Sequence, residues 1–151
     1  HVFLPPMGFR HCITDGARFL GSAGALSIPG RGKATYTKHF EAGIMVTNPI
    51  VTKYTIDTVR PLWLFVPSDG QRGGGRRVMK CFPVIEEWKG VLTVNILDDT
   101  ITESVFERVL QEAGNFIGIG AFRPQNRGYF GRFAVEKVVW KELIAERRKT
   151  L

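Results

Sequence analysis

The sequence predicts an α+β fold in which two helices pack on one face of an antiparallel sheet. Apolar residues recur at helical spacing over residues 7–20 and again over 100–113. Between and after these segments lie stretches with the alternating pattern of β-strands. The order of elements is helix, strands, helix and strand, without regular alternation, and this order is typical of an α+β protein.

Length and composition set the broad class. A chain of 151 residues can bury a core, and we predict a single domain over 1–151 with a solvated tail at 145–151. The chain has 21 Lys and Arg and 14 Asp and Glu, which favours a polyanionic partner, although excess charge also serves solubility. It has no apolar run of about 18 residues, so we expect no membrane span. Its two cysteines lack metal-site spacing, which fits a reduced, cytoplasmic setting.

The first half of the chain predicts one helix, one loop and one strand. Phe9, Ile13, Ala17 and Leu20 form an apolar face that indicates a helix from about 7 to 19. Residues 21–38 are rich in Gly, Ser and Thr with basic side chains, and indicate a surface loop that is either a connector or a contact region. Residues 40–46 are apolar enough for a strand, which a turn at Asn48-Pro49 would end.

The middle of the chain predicts a hairpin-like arm. Residues 59–66 and 78–84 have strand patterns, and Pro61 places the start of the first one at a sheet edge. The residues between them are turn-forming and basic. The side chains expected to crown the arm are Arg72, Arg76, Arg77 and Lys80.

The second half predicts a strand over 88–97, a helix and a final strand over 132–143. Thr100 and Glu103 have the spacing of a capping box at the helix start. Apolar residues from Val105 to Ala113 form the buried stripe of that helix, and Gly114 is expected to end it.

The stretch from Gly114 to Val135 combines glycine, arginine and aromatic residues. It contains Gly114, Gly118, Gly120, Gly128 and Gly131, with Arg123, Arg127 and Arg132, and with Phe116, Phe122, Tyr129, Phe130 and Phe133. Arginine forks suit phosphate, and aromatic faces can stack on bases. A structural interpretation stands beside this one, because the glycines would also allow helix capping and close packing, and Phe130 and Phe133 could belong to the core.

Several motifs in chain order resemble a set of phage and prophage proteins. They are Arg77-Val-Met-Lys80, Phe82-Pro83, Trp88, Ile117-Gly-Ile-Gly-Ala-Phe-Arg-Pro124 and Gly131-Arg-Phe-Ala-Val135. The likeness covers residues 76–135 and extends in the same order over 4–49. These phage proteins are similar to the RAMP superfamily (repeat-associated mysterious proteins), which supplies RNA-binding backbones and RNA-processing enzymes of CRISPR systems.

The resemblance implies a ferredoxin-like or RRM-like βαββαβ core with a glycine-rich loop after its second helix. It also implies RNA as the ligand. The first strand of such a core should precede the helix at Met7, where only residues 1–4 stand. We therefore expect either that the chain is a fragment or that another molecule completes the edge of the sheet.

Catalytic chemistry has little support in the sequence. RAMP endoribonucleases often use a histidine, so His11 and His39 are weak candidates, but neither has a partner at a recognisable spacing. Asp98, Asp99 and Glu103 indicate a strand end and a helix start rather than a metal site. Gly118-Ile-Gly120 follows a helix, whereas a dinucleotide fingerprint follows a strand, so we expect no cofactor.

Nucleic-acid binding is the function that the sequence favours. Two basic, glycine-rich segments, 69–80 and 118–132, adjoin predicted strands and could contact one phosphate backbone if they lie on the same side. The absence of a basic recognition helix argues against reading of duplex DNA. The predicted contact residues are Arg72, Arg76, Arg77, Lys80, Gly118, Gly120, Arg123, Arg127, Tyr129, Phe130 and Arg132.

Three functional hypotheses follow. The first is a non-enzymatic, RAMP-like module that binds single-stranded nucleic acid, RNA rather than DNA, and assembles as a homo-oligomer or filament along the strand. The second is a phage protein-interaction or assembly protein, either an inhibitor of a defence complex or a particle component, whose exposed aromatic and arginine side chains are interface anchors. The third is an RNA-cleaving RAMP endoribonuclease that uses His11 or His39.

Overall fold

The computed structural model describes residues 1–71, 73 and 75–142 and shows an α+β protein. Its helices are α1 (Pro6–Ser22), α2 (Thr37–Gly43) and α3 (Glu103–Glu112). Its strands are β1 (Phe3–Leu4), β2 (Ile44–Val46), β3 (Ile50–Val51), β4 (Arg60–Pro67), β5 (Arg77–Val84) and β6 (Val94–Ile96). Among the described residues the strands form three antiparallel pairs, β1–β3, β2–β6 and β4–β5, rather than one sheet.

The chain divides into two compact units. The core unit contains Met7–Val46 and the described residues from Val94 onward, and the arm unit contains His1–Pro6 and Thr47–Thr93. The long part of the arm unit therefore enters the chain between β2 and β6, which pair directly from Ile44↔Ile96 to Val46↔Val94. The single domain that the sequence predicts over 1–151 stays a prediction.

Helix α1 organises the core unit, as its apolar spacing predicts. Phe9, Ile13, Ala17 and Leu20 are all buried along one face. At Gly16 an added Cβ would lie 2.8 Å from the Cβ of Ala113, so glycine allows the backbone of α1 to approach this residue, which directly follows α3. The buried cluster comprises Ile13, Ala17, Leu20, Ile28, Tyr36, Phe40, Ile44, Ile101, Phe106 and Val109.

The strand predicted over 40–46 is largely wrong, because its first part is helical. Helix α2 runs to Gly43, and only Ile44–Val46 forms a strand. Tyr36 and Phe40 are buried four residues apart, which is helical spacing. The ring of Phe40 stacks on Phe106 with the centroids 6.3 Å apart. This contact holds α2 against α3.

The strand predicted over 88–97 is shorter than expected. Only Val94–Ile96 is a strand. Before it, the side chain of Asn48 takes the place of a neighbouring strand: its Oδ1 accepts the N–H of Thr93 at 2.6 Å, and its Nδ2 donates to the carbonyl of Val91 at 2.8 Å. A side chain thus satisfies backbone groups that a β-ladder would otherwise pair.

The start and end of α3 also differ from the prediction. Thr100 and Glu103 form no capping box, because the N–H of Thr100 is bonded to Oδ1 of Asp98 and the helix begins at Glu103. Gly114 does not end the helix. The chain continues as a π-helical turn over Ala113–Ile117, and Gly118, with φ of 70°, terminates it.

The final strand predicted over 132–143 is absent from 132–142, and Leu143 and the tail at 145–151 lie outside the described residues. This segment packs through side chains instead of a ladder. The ring of Phe133 meets that of Phe9 edge-on at 6.1 Å, and the ring of Trp140 lies 6.3 Å from that of Phe106. The alternation in the sequence therefore reflects packing against the core unit rather than strand pairing.

The arm unit contains the predicted hairpin. Strands β4 and β5 pair over their full length, from Arg60↔Val84 to Pro67↔Arg77, which confirms the arm. The short strands β1 and β3 also pair in this unit, and the buried Thr52 donates its hydroxyl to the carbonyl of Val2 at 2.7 Å.

Candidate nucleic-acid interface

The loop that follows the π-turn is a compact, internally bonded structure, which we call the glycine loop (Gly118–Arg132). Its two sides are joined by the N–H of Ile119 to the carbonyl of Gly131 and by the N–H of Phe130 to the carbonyl of Phe122, both at 2.9 Å. The N–H of Gly128 closes the tip on Arg123 at 3.0 Å. The loop therefore presents its outward side chains from a pre-organised backbone.

Most of the glycines in this loop serve its construction. A Cβ at Gly128 or Gly131 would collide with the carbonyl oxygen of Phe122 or Ile119, respectively. A Cβ at Gly118 would lie 2.7 Å from the ring of Pro124. Gly120 differs, because its φ is 86° but nothing lies within 4 Å of an added Cβ. The structural interpretation of the glycines is thus supported at Gly118, Gly128 and Gly131.

Hydrogen bonds fasten the glycine loop to α1. Gln125 donates from Nε2 to Oδ2 of Asp15 at 3.0 Å, and Arg123 donates from Nε to Oε1 of Gln125 at 3.0 Å. Burial raises the pKa of the nearby Cys12 thiol to about 12, although the charge of Arg123 acts in the opposite direction. Arg123, predicted as a phosphate contact, is half-buried and engaged in this network.

The other two arginines of the loop are exposed. Arg132 donates from Nε to the carbonyl of Asn115 at 3.0 Å, which fixes its position and leaves further donors on its guanidinium. Arg127 lies at the tip, in the left-handed region with φ of 63°. Its side chain makes no hydrogen bond or ion pair to any residue in the part of the chain that the structure describes.

Three exposed aromatic residues lie close to Arg127 along the chain. Tyr129 is 85% exposed, and Phe122 and Phe130 are exposed and meet edge-on at 6.3 Å. Such rings cost free energy in water unless they meet a ligand or a partner. An exposed cation and exposed aromatic rings on the same loop can contact a phosphate and stack on bases, respectively.

The arm carries the second set of predicted contact residues. Arg76 and Arg77 are exposed, and the Arg77 guanidinium lies 5.6 Å from the centroid of the Phe65 ring. Lys80 lies on the opposite face and donates from Nζ to the carbonyl of Ser68 at 3.1 Å. Arg72 lies outside the described residues. The glycine loop and the arm belong to different units, so a shared surface stays a prediction.

Sequence reasoning overlooked three large side chains on the arm. Trp63 and Phe65 alternate along β4, and Met79 pairs with Phe65 across the hairpin; all three are exposed. The sequence held the signal, because both parities of β4 are apolar, whereas a hairpin with one buried face needs only one. The arm therefore has an apolar face that its own fold does not cover.

The two candidate histidines, His39 and His11, differ in their contacts. His39 Nδ1 lies 2.6 Å from Oδ2 of Asp98, 59 residues away, in a half-buried pair. This hydrogen bond lowers the pKa of Asp98, and the backbone N–H of Thr100 acts in the same direction. His11 is exposed and makes no side-chain hydrogen bond within the described residues. His39 therefore has a partner that no recognisable sequence spacing indicates.

Residues 1–71, 73 and 75–142 contain neither a metal-binding cluster nor a membrane-spanning helix. No three His, Cys, Asp or Glu side chains cluster there as a metal site would require. None of the helices in that part of the chain has both the length and the apolar composition of a membrane span.

Comparison with protein-family models, curated proteins and solved structures gives no significant match for this chain.

The glycine loop predicts a measurable difference between two glycines. Gly131→Ala and Gly120→Ala both place an L-residue at positive φ, which costs about 1–2 kcal/mol of unfolding free energy. Gly131→Ala should cost about 1–3 kcal/mol more, because its Cβ meets a backbone carbonyl while Gly120 faces open space. Urea unfolding of the two variants measures the difference, and equal losses would contradict the close approach.

The pair of His39 and Asp98 predicts a pH dependence. The pKa of Asp98 is lower in the folded protein than its ordinary value of 3.8. The pair therefore stabilises the protein at pH values above the pKa of Asp98 in the unfolded chain. This stabilisation is lost as the pH falls through the pKa of Asp98 in the folded protein. Asp98→Asn should lower the free energy of unfolding at neutral pH, and the gap to wild type should close in acid. Asp99→Asn, at an exposed neighbouring position, is the control and should show a smaller gap. A gap that is constant with pH would refute this role.

Proposed function

We propose that this protein is a non-enzymatic module that binds single-stranded nucleic acid. The observation that carries the proposal is the exposed tip of the glycine loop, where Arg127 has no partner among the described residues and the exposed Tyr129 and Phe130 follow it closely in the chain. Phe122 completes this set, which we call the loop tip. Its chemistry matches a phosphate and adjacent unpaired bases.

Single strands fit the loop tip better than a duplex. Aromatic faces stack on bases only where the bases are unstacked or splayed out, as in loops and single strands. Reading of duplex DNA commonly uses a basic helix in the major groove. Helix α3 carries Glu103, Glu107 and Glu112 against one arginine, and Arg18 of α1 is paired with Asp15 and Glu41. Neither long helix has the charge for that role.

The internal bonding of the loop supports binding in a second way. A loop already closed by backbone hydrogen bonds loses little conformational entropy when a ligand binds. The preference for RNA over DNA rests on the resemblance to RAMP proteins. Assembly of several copies along one strand is part of the same proposal.

The relation to a ferredoxin-like core also remains a proposal. It is supported by the core unit, in which α1 and the shorter α2 precede β2, and β6 precedes α3. The antiparallel pair β2–β6 between α1 and α3 corresponds to the middle two strands of a βαββαβ core, whereas residues 131–142, where the last strand would lie, form none. Residues 47–93 of the arm unit would then be an insertion between those two strands.

RNA cleavage is the second candidate, favoured by one observation. Asp98 orients the ring of His39 through the 2.6 Å hydrogen bond, as a carboxylate orients a catalytic histidine. General acid–base cleavage works best with a second group placed at the scissile phosphate. Neither the resemblance nor the geometry points to that second group, so binding without cleavage ranks first.

The binding proposal predicts specific losses of affinity. Labelled single-stranded RNA, single-stranded DNA and duplex DNA of about 15 nucleotides are titrated by fluorescence anisotropy over a salt series. Wild type should bind the single strands more tightly than the duplex, and its affinity should fall as the salt concentration rises. Arg127→Asn removes the charge but tolerates the left-handed backbone, and should flatten the salt slope by about 0.7. Tyr129→Ala should weaken binding roughly 5- to 100-fold, by removing one stacked base.

Two control variants match these changes. Tyr129→Phe keeps the ring and should bind within about twofold of wild type, and Arg108→Ala removes an exposed arginine of α3 and should leave the salt slope unchanged. The same samples are run on a denaturing gel. Strands that wild type cuts and that His39→Ala leaves intact would favour the nuclease. Absence of binding at low salt would refute both nucleic-acid hypotheses and favour an assembly protein.

A further inference from the structure

The arm has two faces, and both are apolar. One face carries Leu62, Leu64, Val66, Val78, Phe82 and Val84, which are half-buried. The other face, which we call the outward face, carries Trp63, Phe65, Arg77 and Met79. On it Trp63 is 62% exposed, Phe65 57% and Met79 59%. A two-stranded hairpin needs only one covered face to be held, so folding leaves the outward face unexplained.

The two aromatic rings of the outward face have a separation that suits nucleic-acid bases. Trp63 and Phe65 lie two residues apart on one strand, so their side chains stand about 6.6 Å apart on the same face. That spacing is about twice the 3.4 Å between stacked bases of one DNA strand. Each ring therefore has room for one base of a strand whose bases are unstacked. Met79 lies across from Phe65 and extends the apolar surface sideways.

A fixed cation stands at the end of this row. The guanidinium of Arg77 lies 5.6 Å from the centroid of the Phe65 ring and donates from Nη2 to the Phe65 carbonyl at 2.9 Å. These two contacts hold the charge beside the ring and leave other donors of the fork available. Arg76 adds a second exposed positive charge next to it.

Charge decides between the possible occupants. Arg76 and Arg77 make this end of the arm positive, and the carboxylate of Asp69 at the tip accepts a backbone N–H from Gln71. A second copy of the chain docked arm to arm would bring more positive charge and no compensating acid on its outward face. A polyanion with flat apolar rings matches both the charge and the shape of the surface.

We propose that the outward face of the arm is a second binding surface for single-stranded nucleic acid, on which Trp63 and Phe65 each stack on one unpaired base and Arg77 contacts the adjoining phosphate. This inference rests on the proposed function and adds a surface to it. It places nucleic-acid contacts in the arm unit independently of those in the core unit.

Ring-removing variants of the full-length chain test this inference. Trp63→Ala and Phe65→Ala should each weaken binding of a labelled single-stranded RNA of about 15 nucleotides roughly 5- to 100-fold. Trp63→Phe keeps a stacking ring and should recover most of that affinity. Ile56→Ala removes an apolar side chain that is 86% exposed in the same unit but outside the arm, and should bind as wild type. Circular dichroism confirms that each variant folds.

The outcomes separate this inference from the proposed function. If wild type binds single-stranded RNA and both alanine variants bind equally well, the outward face is not a binding surface, although the proposed function stands. If wild type binds no single strand at low salt, both fail together. Light scattering of the same variants without RNA measures their oligomeric state and so tests whether a second copy of the chain occupies the outward face. An oligomer that Trp63→Ala dissociates while RNA affinity is unchanged would overturn the inference in favour of a protein interface.

Discussion

The close approach of two backbone segments, which glycine makes possible, determines the shape of the core unit. Gly114 contacts the carbonyl of Phe133, Gly131 contacts that of Ile119, and hydrogen bonds join the same segments. This seam turns the chain back after α3 and directs Phe133 onto Phe9 and Trp140 onto Phe106. The same seam holds the loop tip outward. Packing and the candidate function therefore depend on one set of contacts.

Long, periodic elements were predictable from the sequence. Helix α1 has four apolar residues on one face over three turns, and the arm has two strands of eight residues, so local pattern and tertiary structure agree. The sequence predicts a strand at residues 40–43, which belong to helix α2, because a seven-residue helix has too few turns for its period to be recognised. The strand predicted over residues 88–93 is absent for another reason. The side chain of Asn48 bonds to backbone groups that a neighbouring strand would pair.

The candidate site was predictable in composition but not in geometry. Sequence reasoning selected Arg127, Tyr129 and Phe130, which are exposed as a contact role requires. It also selected Arg123, whose engagement with Gln125 depends on how the loop folds onto α1. The bond of His39 to Asp98 joins residues 59 positions apart, and no local pattern encodes it. Both units nevertheless expose the same chemistry, arginine beside aromatic rings, which is the common basis of the two proposals.

Photo-crosslinking tests the central claim most directly, because it locates the nucleic acid on the chain. Single-stranded RNA containing 4-thiouridine is irradiated with the full-length protein, and the crosslinked residues are identified by mass spectrometry. We expect crosslinks in the glycine loop, at Tyr129 or Phe130, and on the outward face of the arm, at Trp63 or Phe65. Crosslinks concentrated on α3, or none in either segment from a complex that has formed, would contradict the assignment of these surfaces to nucleic-acid binding.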